Sequence, residues 1–335
     1  MSFQQDLDEQ LVRYMELKPG TAAFIDARTP GSHLKDNYCI IGAGVAESDK
    51  QPVHIRETTG FNIGAAGQPP GIKNSLHSHT TAEIFVVFKG SFRFYWGNEG
   101  EEEVVLTSGD LISIPTNLFR GFEVVGRDYG FMYSVLGGDN SGGGVTWHPE
   151  VLKDSQGHGL YLRKDKVLVD TQAGEAVPEL TELMPLLSDE EMAQFDSYTP
   201  EKMQPFVVRR DQYQAVTPDF DRVNFKQFSL SGSPLASYDF QVKSHDEVSV
   251  HGLSLTHGAK TPRYTREEKQ VLINFSGDTL VEVSQNDKTA QVLLTTGDVF
   301  NVPLGAHISL ENRRGESFTY LIVGSDTPST PVVSP

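Results

Sequence analysis

Cysteine is almost absent from this chain, with Cys39 the single one in 335 residues. No intrachain disulfide can form, so the fold does not call for an oxidising compartment. Cys39 lies in the apolar stretch from Asn37 to Ile41 and reads as a small buried hydrophobe. Basic residues are also scarce. Lys and Arg number 28 against 45 Asp and Glu, for a formal net charge of −17. Neither nucleic acid nor an anionic membrane is expected as a partner, because both need a basic surface. Long apolar runs are missing too, and none approaches the ~18 residues a membrane helix needs. The opening residues, Met1 to Glu9, are polar and acidic, without the basic start and apolar run of a secretion signal. The expectation is a cytoplasmic protein.

What is present suits a globular chain. Apolar residues make up 38% and charged residues 22%, enough to bury a core and far from a disordered composition. The length admits two domains. One unit also occurs twice. Glu83, Gly90, Gly109-Asp110, Pro115, Arg120 and Val135 to Asp139 are matched by Gln270, Gly277, Gly297-Asp298, Pro303, Ile308 and Ile322 to Asp326. The offset holds at 187 or 188 residues throughout, a register that indicates duplication.

Both copies read as β. The apolar, aromatic-rich stretch Leu76 to Trp96 leads to turn residues at Gly97 to Gly100. Short strands are predicted at 104–106, 111–114, 122–125 and 131–135, then at 271–275, 280–283, 291–294, 299–302 and 318–323. Many short strands broken by Gly and Pro indicate a sandwich or barrel. Between the copies, Ser188 to Glu191 forms a capping box, and Thr199-Pro200 starts a second helical turn. Leu7, Leu11, Val12 and Met15 share one face of a predicted N-terminal helix. The Ser-, Thr- and Pro-rich tail from Ser325 to Pro335 reads as disordered.

Chemistry concentrates in one place. His77 and His79 are two residues apart, so on a strand they share a face, and Glu83 follows at an even step. Two imidazoles and a carboxylate suit a divalent first-row metal with open positions, including Fe(II). The alternative is a set of polar side chains that only hydrogen-bond one another. His307 is shifted by one residue from the corresponding position of copy two, which turns it to the opposite strand face. The run holding Gly137, Gly138, Gly142, Gly143 and Gly144 is no phosphate loop, because no Gly-Lys-Ser/Thr follows. It reads as a flexible exit from the first unit.

These residues resemble the cupin superfamily. The first cupin motif is Gly, five residues, His-x-His, three or four residues, Glu, six residues, Gly. Gly71, His77, His79, Glu83 and Gly90 match every element. In the second motif Gly109 and Pro115 match, Asn117 replaces a Gly, and Arg120 replaces the fourth metal ligand. Copy two keeps Gly277, Gly297, Pro303, Gly305 and Asn312 but holds Tyr264, Arg266, Gln270 and Ile308 at the ligand positions.

The resemblance implies an all-β bicupin: two double-stranded β-helix (jelly-roll) barrels in tandem, joined by a short helical linker. Residues 1–145 would form the metal-bearing barrel, 146–205 the linker, and 206–335 a barrel without ligands. It implies a divalent metal on His77, His79 and Glu83, with Fe(II) expected and Mn, Ni or Zn as alternatives. Bicupins include ring-cleaving dioxygenases, decarboxylases, isomerases and metal-free storage proteins, so family sets fold better than reaction. The leading expectation is a dioxygenase-type oxidoreductase acting on a small aromatic or oxidisable anionic substrate. Arg120 would be the catalytic residue that orients the anionic group, or else would pair with Glu83. Phe85, Phe92 and Tyr95 are expected as apolar wall. The alternative is a non-catalytic binding or sensor protein with a decayed metal site. Expected partners are a small-molecule substrate and either a homo-oligomer or a second dioxygenase subunit.

Overall fold

The structure, a computed structural model, describes all residues except 1, 21, 49, 58–59, 82, 139–143, 218–223, 245–246 and 334–335. It divides into two compact units. One comprises residues 18–56 and 62–210, the other residues 1–17, 57–61 and 211–335.

The first unit is two sheets over one core. A seven-stranded sheet runs Val207–Val208, Leu111–Ile114, Glu83–Lys89, Gly130–Gly137, Phe61–Gln68, Asp36–Ile41, Val53–Ile55. A five-stranded sheet runs Thr146–Trp147, Lys73–Ser78, Arg120–Val124, Ser91–Trp96, Glu102–Thr107. Phe85, Ile112 and Met132 from the first sheet pack on Phe92, Phe94, Trp96 and Phe122 from the second. Alternation along each strand turns these residues inward. The single-residue turn between Glu83–Lys89 and Ser91–Trp96 depends on Gly90, at φ 81°. A Cβ there would lie 2.9 Å from the Gly130 backbone, so any other residue would have to displace that strand.

The second unit repeats this plan. Its larger sheet runs Leu11–Val12, Val299–Val302, Gln270–Ser276, Ser317–Val323, Ser249–Leu255, Phe225–Gly232, Ala215–Val216, with Val242–Lys243 beside Phe225–Gly232. The smaller one runs Lys288–Leu294, Thr279–Gln285, His307–Glu311, Tyr264–Thr265, Val332–Val333. Several corresponding strands start 187 or 188 residues apart, as in 83 to 270 and 111 to 299. Each unit is a two-sheet jelly roll, not a hydrogen-bonded closed barrel. The fold class expected from the sequence holds in that form.

Each larger sheet ends on a two-residue arm strand. Val207 and Val208 pair with Ile112 and Leu111. Arg209 then reaches Asp110 at 3.3 Å and the Val105 carbonyl at 3.1 Å. In the other unit Leu11 and Val12 pair with Phe300 and Val299. Arg13 then reaches Asp298 at 2.6 Å and the Leu293 carbonyl at 2.7 Å. The arms therefore follow the same rule in both units.

Several expectations need correction. The N-terminal helix spans only Phe3–Asp8, capped by Ser2 and Gln5. Leu11 and Val12 leave it because Val299 and Phe300 offer them a strand partner, and Met15 is 88% exposed. Residues 1–17 thus belong with the C-terminal jelly roll, where the sequence reading places them with the N-terminal one. Residues 146–205 are not a free linker. A helix at Pro149–Gly157, with Pro at its start and His148 as its cap, sets Leu152 against Ile25, Trp147, Leu160 and Leu162. The short helices at Asp189–Met192 and Pro200–Met203 form as expected, on the Ser188 and Thr199 caps. The tail is ordered as far as described: Val332–Val333 pairs with Tyr264–Thr265, and Glu268 accepts from Ser329. The glycine-rich exit falls partly on 139–143, outside the described residues. Among the described residues, no helix is long and apolar enough to cross a membrane.

Candidate metal centre

Strand Lys73–Ser78 carries His77, and His79 follows at the start of the turn into Glu83–Lys89. His77, His79 and Glu83 are 4%, 3% and 6% exposed. One ligand atom from each lies within 4.8 Å of the others. Arg120 opens strand Arg120–Val124 and is the cross-strand partner of His77. The structure therefore brings together all four residues that the sequence singles out. Asn117, in the place of a cupin Gly, keeps the turn by taking φ 57°, a left-handed conformation that Asn tolerates.

The hydrogen bonds of the imidazoles decide what this cluster can do. His77 Nδ1 lies 2.7 Å from the Ser75 carbonyl, and His79 Nδ1 lies 3.2 Å from the Gly144 carbonyl. A carbonyl only accepts, so each Nδ1 carries the proton and each Nε2 keeps its lone pair. Burial holds both imidazoles well below their ordinary pKa, and the Arg120 charge pushes the same way. Both are therefore neutral, with Nε2 available. This is how metal-ligating histidines are held. The donor set fits a divalent first-row ion.

Arg120 meets Glu83, one of the two roles that the sequence leaves open for it. It is fully buried, and its Nη2 lies 3.3 Å from Glu83 Oε2. Glu83 Oε2 is also 3.6 Å from His79 Nε2. Burial raises the Glu83 pKa and Arg120 opposes that; burial lowers Arg120 to about 10 while Glu83 opposes it. The guanidinium faces Glu83 because that carboxylate is the anion its strand position meets. A carboxylate has about four lone-pair sites, so Glu83 can accept from Arg120 and still ligate an ion.

A cavity of about 70 Å³ opens on the cluster. Phe85 lines it as expected, with Phe24, Tyr38, Leu136, Val145 and Trp147. Phe92 instead packs in the core, and Tyr95 donates to the Asn74 carbonyl at 2.8 Å. Behind His77, Asn74 Nδ2 sits 3.4 Å from the ring, and Asn74 Oδ1 accepts from Lys35. Lys35 is ion-paired with buried Asp26, which also accepts from Ser75 N at 3.1 Å. The Trp147 ring lies 5.4 Å from the His77 ring. Sequence reasoning missed Lys35, Asn74 and Trp147 because no spacing rule links them to the His-x-His pair. In the C-terminal unit the corresponding positions hold buried Tyr264, Arg266, Gln270 and Ile308. Among the described residues they form no group able to hold a metal.

Residues 67–135 match the cupin domain family. No curated protein sequence matches the chain. Solved structures share its fold across almost its whole length. The Lactobacillus farciminis oxalate decarboxylase formate complex is 12% identical, with a TM-score of 0.61, over 97% of this chain and 88% of that one. Bacillus subtilis oxalate decarboxylase at pH 4.6 is 15% identical, with a TM-score of 0.58, over 97% and 78%. A further structure of that enzyme, reported for its Mn(II) centres, is also 15% identical at a TM-score of 0.58, over 97% and 79%. At such identities the likeness concerns the fold. The first unit thus contains a match to the cupin domain family, and the chain as a whole shares its fold with these solved structures.

Proposed function

We propose that the N-terminal jelly roll holds a divalent first-row ion on His77, His79 and Glu83, and that the protein is a metal-dependent enzyme of the dioxygenase type. The substrate is a small aromatic or otherwise oxidisable molecule with an anionic oxygen. Fe(II) is the ion of choice, with Mn, Ni and Zn compatible with the same donors. Mn(II) gains weight from the centres reported in the Bacillus subtilis oxalate decarboxylase of similar fold. The observation that carries the reading is the paired anchoring of His77 Nδ1 and His79 Nδ1 on backbone carbonyls, which leaves both Nε2 atoms beside Glu83 in an apolar cavity.

When bound, the ion would supply Lewis acidity and coordination positions for substrate and co-reactant. The protein's residues do the rest. Arg120 holds Glu83 in place, Trp147 and Phe85 exclude water from the cavity, and the Ser75 carbonyl braces His77. In this reading Arg120 acts through Glu83.

A non-catalytic binding protein is the second reading, favoured by the Glu83–Arg120 pair, which already gives Glu83 a counter-charge. Elemental analysis of purified protein separates the two. Stoichiometric metal that disappears in His77→Ala, with the fold retained, supports the enzyme. Metal-free protein that takes up no ion when offered Fe(II) or Mn(II) rejects it. Light scattering and co-purification test the proposed homo-oligomer or second subunit.

A further inference from the structure

The cavity wall carries two chemically distinct polar features. One is the cluster of His77, His79 and Glu83. Elsewhere on its wall lies Asn37, 9% exposed, whose Nδ2 has no hydrogen-bond partner. The Asn37 backbone is clamped, exchanging hydrogen bonds of 2.8 and 3.1 Å with Gly20 and accepting from Gln51 Nε2 at 2.9 Å. Of the neighbouring carboxamides on the wall, Asn62 is engaged at both its ends and Gln51 through its Nε2. Asn62 donates to the Gly138 carbonyl at 3.0 Å and accepts from Gly44 N at 3.3 Å. Gln51 Oε1 has no hydrogen-bond partner either, but it is packed on Gly20, where a Cβ would come within 1.7 Å of it. An unmet donor in an apolar cavity costs free energy that a ligand acceptor recovers.

Charge narrows the ligand further. Among the described residues no Lys or Arg lines the cavity, and Arg120 is engaged by Glu83. None of residues 21, 49, 82 and 139–143 is basic. A second charge carried away from the His77–His79–Glu83 cluster would be buried without a partner.

We propose that this cavity takes a compact apolar molecule with one oxyanion at the His77–His79–Glu83 cluster and one uncharged hydrogen-bond acceptor that Asn37 Nδ2 meets. The proposal rests on the metal reading above and adds the ligand's charge and its second polar group.

The test is calorimetric binding of phenol, 4-hydroxybenzaldehyde and 4-hydroxybenzoate to metal-loaded protein, with metal content measured on the same samples. The aldehyde, which offers a neutral acceptor, should bind about five- to tenfold more tightly than phenol. The benzoate, which carries a second charge, should bind at least about tenfold more weakly than phenol. Asn37→Leu should erase the aldehyde's advantage and leave phenol unchanged. Asn37→Asp, of nearly the same size, should do the same and covers the case in which the Leu variant does not fold. Benzoate binding as tightly as aldehyde would overturn the proposal. So would an aldehyde preference that survives both variants, or no probe binding to metal-loaded protein. Protein that takes up no metal removes the underlying enzyme reading as well, and the metal measurement tells these failures apart.

Discussion

Arg120 Nη2 lies 3.3 Å from Glu83 Oε2, with both side chains buried. This pair makes Glu83 a carboxylate with two claimants, the guanidinium and any ion held by His77 and His79.

Arg120→Ala should therefore destabilise the metal-free protein by on the order of 3–5 kcal/mol, because it strands a buried carboxylate. An ion on Glu83 would replace the lost charge and shrink the loss to less than about half. Thermal unfolding in EDTA and in excess Mn(II) measures both cases. An equal loss in the two conditions would show that metal and Arg120 do not share Glu83.

Metal stoichiometry should be one ion per chain, held by the N-terminal unit. The C-terminal positions offer a phenol, a guanidinium, an amide and an aliphatic group at Tyr264, Arg266, Gln270 and Ile308, and an aliphatic group cannot ligate. His79→Ala should bring metal content close to zero. Two ions per chain, or full occupancy in the variant, would move the site elsewhere.

Stability should fall as pH rises through neutrality because of Glu47. Burial pushes its carboxyl up to about 7, opposed by the N–H groups of Trp147 at 2.6 Å and Ile25 at 2.8 Å. Asp26 adds to the rise and Lys35 opposes it. Between about pH 4.5 and 7 the folded chain keeps a proton that the unfolded chain has released, so the slope is negative there. Glu47 retains partial solvent contact, which limits the total to roughly 1–2 kcal/mol. Tryptophan emission should titrate with a midpoint near 7, and Glu47→Gln should abolish that titration and flatten the stability profile. A slope unchanged in the variant would assign it to another group.

The arm of the C-terminal unit allows a comparison of two partners. Asp298 accepts from Arg13, from Tyr14 N at 3.0 Å and from Thr295 N at 2.9 Å, and it is 1% exposed. Arg13 is 37% exposed, so its charge is worth less than about 1 kcal/mol. Asp298→Ala leaves the buried donors unmet and should cost roughly 3 kcal/mol. Urea unfolding of Arg13→Ala and Asp298→Ala checks the ranking. Equal losses would mean that the ion pair, not the backbone donors, holds the arm.

The local pattern was legible. The His77, His79 and Glu83 set, the duplicated register and the caps at Ser188 and Thr199 depend on residues close in sequence or on exact repetition. Strands Asp36–Ile41, Phe61–Gln68, Phe225–Gly232 and Ser249–Leu255 escaped notice, since Gly, Ala, Ser and Asn blur their alternation. Their partners across the sheet make them strands.

By itself the sequence determined that the chain is a duplicated all-β protein with one intact ligand set, because strand parity and turn chemistry act over a few residues. Tertiary structure alone decided which claimant Arg120 meets, and that residues 1–17 complete the C-terminal sheet. It also decided that Ser75 and Gly144 carbonyls fix the tautomers of the two histidines, and that Asn37 Nδ2 is left unmet in the cavity. Each of these depends on contacts between segments tens to hundreds of residues apart. Such contacts follow from sheet pairing and burial, which no local spacing encodes.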